Sequence, residues 1–137
     1  MIKLLKFGTP KQQLEITTCF RKLLSDESSS TIDKVNDRIN SAGLVSKFVE
    51  LLQRDDFDLQ SEAAWVLSNI AAGNSLQTKR IVDSGALPVL VELLSSPSEN
   101  VQELAACCLG NIAGNGPECR DLVLDHGIFS PLLQYVL

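Results

Sequence analysis

Apolar residues along this chain fall at helical spacing, and polar runs or glycines separate one helical pattern from the next. Thr9-Pro10-Lys11-Gln12 opens the first of them: Thr9 can cap a helix, Pro10 suits the first helical position, and Gln12 can reach back to the cap. Leu14, Cys19, Leu23 and Leu24 then recur near helical spacing, which predicts a helix over 10–25. Asp26 to Thr31 is wholly polar and reads as a loop, and a short helix over 31–40 leads to a glycine stop at Gly43. Leu44, Val45, Phe48, Val49, Leu51 and Leu52 predict a helix that is apolar on most sides. After a loop at 53–58, residues 59–73 form a longer, alanine-rich helix ended by Gly73. The same order returns: Leu76 to Val82, Leu87 to Leu94, a polar loop at Ser95-Ser96-Pro97-Ser98, and Val101 to Ala113. A further unit begins at Cys119 and runs through Phe129, Leu132, Leu133 and Val136 to Leu137.

The recurrence has a fixed period of 42 residues. Residues 43–82 laid over 85–124 share twelve identities without a gap, among them Gly43 with Gly85, Val49-Glu50-Leu51-Leu52 with Val91-Glu92-Leu93-Leu94, and Asn69-Ile70-Ala71 with Asn111-Ile112-Ala113. A period of about 40 to 47 residues built only of helices marks an armadillo or HEAT solenoid, which stacks repeats to expose a long concave surface. The expected fold is therefore an all-α, right-handed armadillo-repeat solenoid of about three repeats, three helices to a full repeat. The approximate units are 1–40, 41–82, 83–124 and a partial 125–137, all in one domain. The apolar residues of that last unit have no covering helix, so the chain reads as part of a longer array. Its end is a candidate for self-association.

Composition narrows the function classes. No apolar run approaches a membrane span, and the N-terminal stretch does not have the form of a signal peptide, so cytosol and nucleus are expected. The formal charge of −5 argues against nucleic acid and towards a basic partner. None of the four cysteines forms a C-x-x-C pair; Cys19, Cys107 and Cys108 sit within apolar patterns and read as buried free thiols. No metal or other cofactor is expected. His126 is the sole histidine and is read as part of a helix cap, and Asp55, Asp56 and Asp58 lack the glycine and terminal glutamate of a calcium loop. Ser28-Ser29-Ser30 reads as a solvated loop, with phosphorylation as the alternative. No nucleophile, base and orienting group converge, so no catalytic residue is assigned and the chain is expected not to be an enzyme.

The residues that suggest function lie on the long third helices. Trp65 and Asn69 are four apart, hence on one helical face, while Ala63, Ala64, Leu67, Ile70 and Ala71 fill the other directions. An indole offers a π-face to the methylenes and cation of a Lys or Arg, and a carboxamide can clamp both the N–H and the C=O of an extended backbone. The alternative makes Trp65 a core residue and Asn69 a helix-end residue. The return of asparagine at 111, in register, favours a ladder for a peptide.

The run L-Q-S-E-A-A-W-V-L-S-N-I-A-A-G-N-S-L-Q-T at 59–78 resembles the second armadillo repeat of importin α, the adaptor that recognises nuclear localisation signals. E-L-L-S-S-P at 92–97, L-G-N-I-A-G at 109–114 and C-R-D at 119–121 are similar to its third, and F-R-K-L-L-S at 20–25 and G-I-F-S-P-L-L at 127–133 to the first and the start of the fourth. The resemblance implies a groove for an extended Lys/Arg-rich signal, with Trp65 and Asn69 as one complete pair, Gly73 and Thr78 lining a lysine pocket, and Asn111 as the next clamp. It also shows departures. Cys107 stands where the next tryptophan belongs, Asn115 where an acidic residue faces the lysine, and Leu104 where a polar residue contacts the peptide, so weakened or altered peptide binding is expected. The family's basic N-terminal segment is not found in residues 1–20, whose only cations are Lys3, Lys6 and Lys11, so recruitment of importin β by this chain is not expected. A second reading makes the chain an armadillo scaffold for a different protein partner.

Overall fold

The computed structural model describes residues 2–25, 29–73 and 75–125, the side chains of Ile2 and of residues 29–32 excepted. Within them the chain forms α1 (Ile2–Phe7), α2 (Pro10–Leu24), α3 (Ser29–Ala42), α4 (Leu44–Leu52), α5 (Phe57–Ala71), α6 (Ser75–Asp83), α7 (Ala86–Leu93), α8 (Glu99–Ala113) and α9 (Pro117–Asp125), with no strand among the described residues. The unit read from 125–137 and the cap read at His126 lie outside the described residues, apart from Asp125 at the end of α9.

Local chemistry explains most of the boundaries. Thr9 and Gln12 close the expected capping box: the Gln12 N–H donates to Thr9 Oγ1 at 3.2 Å and the Thr9 N–H to Gln12 Oε1 at 2.9 Å. Gly43 and Gly85 sit at φ 66° and 83°, a left-handed conformation that side-chain-bearing residues rarely adopt, and so turn the chain sharply into α4 and α7. The two long helices begin two residues earlier than the apolar pattern indicated. Asp56 and Ser98, read as loop residues, are N-caps whose side chains accept from the N–H groups of Leu59 and Val101. Similarly, α3 starts at Ser29 inside the stretch read as a polar loop, and α5 ends at Ala71, two residues short of the expected stop at Gly73.

The core is layered around α5. That helix packs most extensively on α2 and α8, and its residues Leu59, Ala63, Ala64, Val66, Leu67, Ile70 and Ala71 are all buried. Small alanines let flanking helices approach closely, so α2, α5 and α8 stack side by side while α4 and α7 close the core behind them. Phe48 on α4 is fully buried and meets Phe20 on α2 edge to face, with ring centroids 5.6 Å apart.

Two expectations are corrected. The buried face of α2 is Gln13, Thr17, Phe20 and Leu24, whereas Cys19 is exposed and Leu23 lies largely open. Thr17 is accommodated because its hydroxyl donates to the Gln13 carbonyl at 2.7 Å, and Gln13 because its amide donates to the Leu5 carbonyl at 2.9 Å. Nor are the cysteines uniformly buried: Cys19 and Cys107 are exposed, Cys119 is intermediate, and only Cys108 is sealed in the core. Burial, and then the neighbouring Cys107, pushes the Cys108 thiol up to about 12, so it remains a neutral packing group.

Candidate functional site

The surface left open by this packing is a strip along α5 and α8. Beyond its first turn, helical periodicity buries the other residues of α5 from Ser61 to Ala71 but leaves Glu62, Trp65 and Asn69 at spacings of three and four on its outer face. Trp65 is 41% exposed, which removes the reading of it as a core residue, and Asn69 is half-buried beside it. On α8 the corresponding positions are Leu104, Cys107 and Asn111, of which Cys107 is exposed and the other two half-buried.

Both asparagines are anchored in the same way. The Asn69 amide donates to the Ser25 hydroxyl at the end of α2, at 3.2 Å. The Asn111 amide donates to the Ser68 hydroxyl and to the Ser68 carbonyl on α5, at 3.0 and 3.1 Å. In each case the amide nitrogen reaches back to a serine on the preceding long helix. That fixes the carboxamide plane and leaves its oxygen without a hydrogen bond to any described residue. Ser68 also donates to the Cys107 sulfur at 3.5 Å, so α8 residues 107 and 111 converge on one serine. Neither asparagine caps its own helix; Ala72 and Gly114 end α5 and α8 through backbone bonds.

The lysine-pocket candidates are placed differently from one another. Gly73 is exposed, and a Cβ there would meet the Gln77 side-chain oxygen at 2.0 Å, so a glycine leaves Gln77 room to fold over the end of α5. Thr78 is fully buried, which corrects the expectation that it lines an open pocket: its hydroxyl donates to the Ala71 carbonyl at 3.2 Å. The Asn115 amide donates to that same hydroxyl, also at 3.2 Å. Thr78 thus orients Asn115 from behind. Asn115 itself is half-buried and carries no charge.

Sequence spacing missed the partners of the indole. Arg21 on α2 places its guanidinium carbon 4.3 Å from the Trp65 ring centroid, and its Nε donates to Glu62 Oε2 at 2.5 Å. Arg21, Ser25 and Ser68 make contacts spanning 39 to 44 residues, for which no local pattern gives a signal. No group of three or more His, Cys, Asp or Glu side chains among the described residues has a metal-holding arrangement, and no described helix is long and apolar enough to cross a membrane.

The sequence profile of the Armadillo/beta-catenin-like repeat matches residues 37–72 and 74–114, more than half of the chain. The chain belongs to the armadillo-repeat family. Among its curated relatives, Importin subunit alpha-2 of Arabidopsis thaliana is 54% identical over 122 residues, covering 88% of this chain and 22% of that protein. Importin subunit alpha-1b of Oryza sativa subsp. japonica is 53% identical over 135 residues, covering 98% of this chain and 24% of that protein. The chain thus spans less than a quarter of the length of these relatives. An engineered protein of known crystal structure superposes with a TM-score of 0.86 at 39% identity, over 97% of this chain and 53% of that one. A designed armadillo repeat protein in complex with the peptide (KR)4 gives a TM-score of 0.86 at 29% identity, over 97% of this chain and 54% of that one. The fold is an armadillo solenoid, and its long helices α2, α5 and α8 are the stacked elements that carry the strip described above.

Proposed function

We propose that this armadillo module is a non-enzymatic nuclear-import adaptor segment that holds an extended Lys/Arg-rich signal peptide of a cargo protein along α5 and α8, acting in cytoplasm and nucleus. The observation that carries the reading is the repeated anchoring of Asn69 and Asn111. Each amide nitrogen donates to a serine of the preceding long helix, so the two carboxamide oxygens are held at equivalent positions of adjacent repeats, where each can accept from an N–H of an extended backbone. Trp65 supplies an accessible ring beside the first clamp, and the exposed Gly73 adds no side chain of its own at the end of α5, where Gln77 folds over it. Similarity to importin α subunits and to a design in complex with (KR)4 supports the same ligand chemistry.

A second reading, an armadillo scaffold for another partner, draws on Asn115 and Cys107. A neutral Asn115 turned towards Thr78 offers no carboxylate to a lysine, and the thiol of Cys107 has no π-face. Salt separates the two. Calorimetric titration of the chain with an alternating Lys–Arg octapeptide should show binding that weakens at least several-fold between low and moderate ionic strength, because exposed charges are screened over about 10 Å at 0.1 M salt. Salt-independent binding, or none at low salt, overturns the basic-peptide reading.

A further inference from the structure

The Trp65 ring is already occupied on one side, and by a side chain of this protein. Arg21 stacks on it while donating to Glu62, and the two charged side chains are only 19% and 20% exposed. Glu62 and Trp65 lie three apart on α5, so together they make a cage with one π wall and one carboxylate wall. Such a cage selects a guanidinium or an ammonium over any uncharged group.

The arrangement appears once among the described repeats. Ser25 and Ser68 play equivalent parts, each receiving an asparagine from the following long helix. Four residues before them stand Arg21 and Ala64 respectively, while Leu104 and Cys107 replace Glu62 and Trp65 on α8. At the second interface the cage and its occupant are both missing, yet α5 packs on α8 at least as extensively as α2 packs on α5. Stacking of the long helices therefore does not require Arg21 on the ring. Its position follows the cage, not the fold.

We propose that Arg21 is a specificity-determining residue of the peptide groove, an internal stand-in that must leave the Trp65–Glu62 cage before a Lys or Arg of the ligand can enter it. The inference rests on the basic-peptide reading and adds to it where discrimination arises. An incoming cation has to displace Arg21 from the ring and the carboxylate, so a basic residue at this subsite contributes less net affinity than it would in an empty cage. An uncharged ligand residue leaves Arg21 in place. Removing Arg21 turns the subsite into an empty, negatively charged cation acceptor.

Trp65 is the only tryptophan, so its fluorescence reports on this subsite alone. Arg21→Gln keeps an unbranched side chain and helix propensity, and its fold is checked by circular dichroism. Without any peptide, quenching of the free protein by cesium should rise about twofold or more in Arg21→Gln, because the bared ring lies beside the unpaired Glu62 carboxylate, which concentrates cations. With an alternating Lys–Arg octapeptide at low salt, Arg21→Gln should bind about 3- to 10-fold more tightly than wild type, the range of one recovered cation–π contact. Adding Glu62→Gln should reduce both gains, because it removes the carboxylate wall while leaving the bared ring. Unchanged cesium quenching overturns the inference whatever the peptide does. Equal or weaker peptide affinity in Arg21→Gln, where wild type binds, also overturns it. Enhanced cesium quenching with no peptide binding to either protein upholds the stand-in and instead contradicts the basic-peptide reading.

Discussion

Phe48→Ala should destabilise the domain by about 3–5 kcal/mol, the cost of deleting a large, fully buried aromatic side chain from a core that cannot collapse around the void. The site is unforgiving for a structural reason. Phe48 sits on α4 beneath the junction with α2, where its ring meets the edge of Phe20, and Leu44, Leu51 and Leu52 of the same helix are themselves fully buried. Small residues on α5 hold the neighbouring backbones at close approach and leave nothing to move into the space. With a total stability of about 5–15 kcal/mol for an ordinary domain, a loss of this size takes much of the margin. In urea, with a slope of about 2 kcal/mol per molar, the unfolding midpoint should fall by roughly 2 M. Phe57→Ala provides the contrast: that ring is 47% exposed at the first turn of α5, and its loss should cost about 1 kcal/mol or less.

Replacing Trp65 and Asn69 together by alanine should abolish measurable binding of the Lys–Arg octapeptide while leaving the helical circular dichroism intact. Loss of a stacking face is worth about 0.5–2 kcal/mol and loss of a clamping carboxamide about 0.5–1.5. Together they cost about 1–3.5 kcal/mol, roughly 5- to 400-fold in affinity. A groove already weakened at Cys107 and Asn115 has little to spare, so binding should drop below detection by calorimetry. The fold should survive because neither side chain is a core residue: Trp65 is 41% exposed, and Asn69 contributes one hydrogen bond to Ser25 at the open end of α2. Retained affinity in a folded double variant contradicts the assignment of these residues.

What the sequence alone supplied, and what it withheld, divides along a physical line. The 42-residue recurrence fixes the order of helices, and the i, i+4 spacing of Trp65 and Asn69 fixes their common face, because both depend only on helix geometry. Helix starts at Asp56 and Ser98 were missed because a capping side chain looks like any polar loop residue until its bond to an N–H two or three positions on is seen. The six-residue α1 has too few residues for periodicity. Tertiary contacts hold it: Leu5 is fully buried, and the Lys6 ammonium donates to the Ala42 carbonyl at 3.0 Å. The deeper omission is in the site. Ser25 and Ser68, which orient the asparagines, and Arg21, which covers the indole, lie about one repeat away in sequence. Only the stacking of α2, α5 and α8 brings them to the helix they serve. Thr78 shows the same limit from the other side, since a pattern places it near the end of α5 but not behind Asn115.

The central claim is that Trp65, Asn69 and Asn111 form one continuous ligand-binding strip. It is tested most directly by following the side-chain amide signals of the two asparagines and the indole N–H of Trp65 by heteronuclear NMR as the Lys–Arg octapeptide is added at low salt. The account predicts that all three signals move together with a single midpoint. Signals that stay fixed while residues elsewhere on the molecule respond, or three groups that titrate independently, would contradict it.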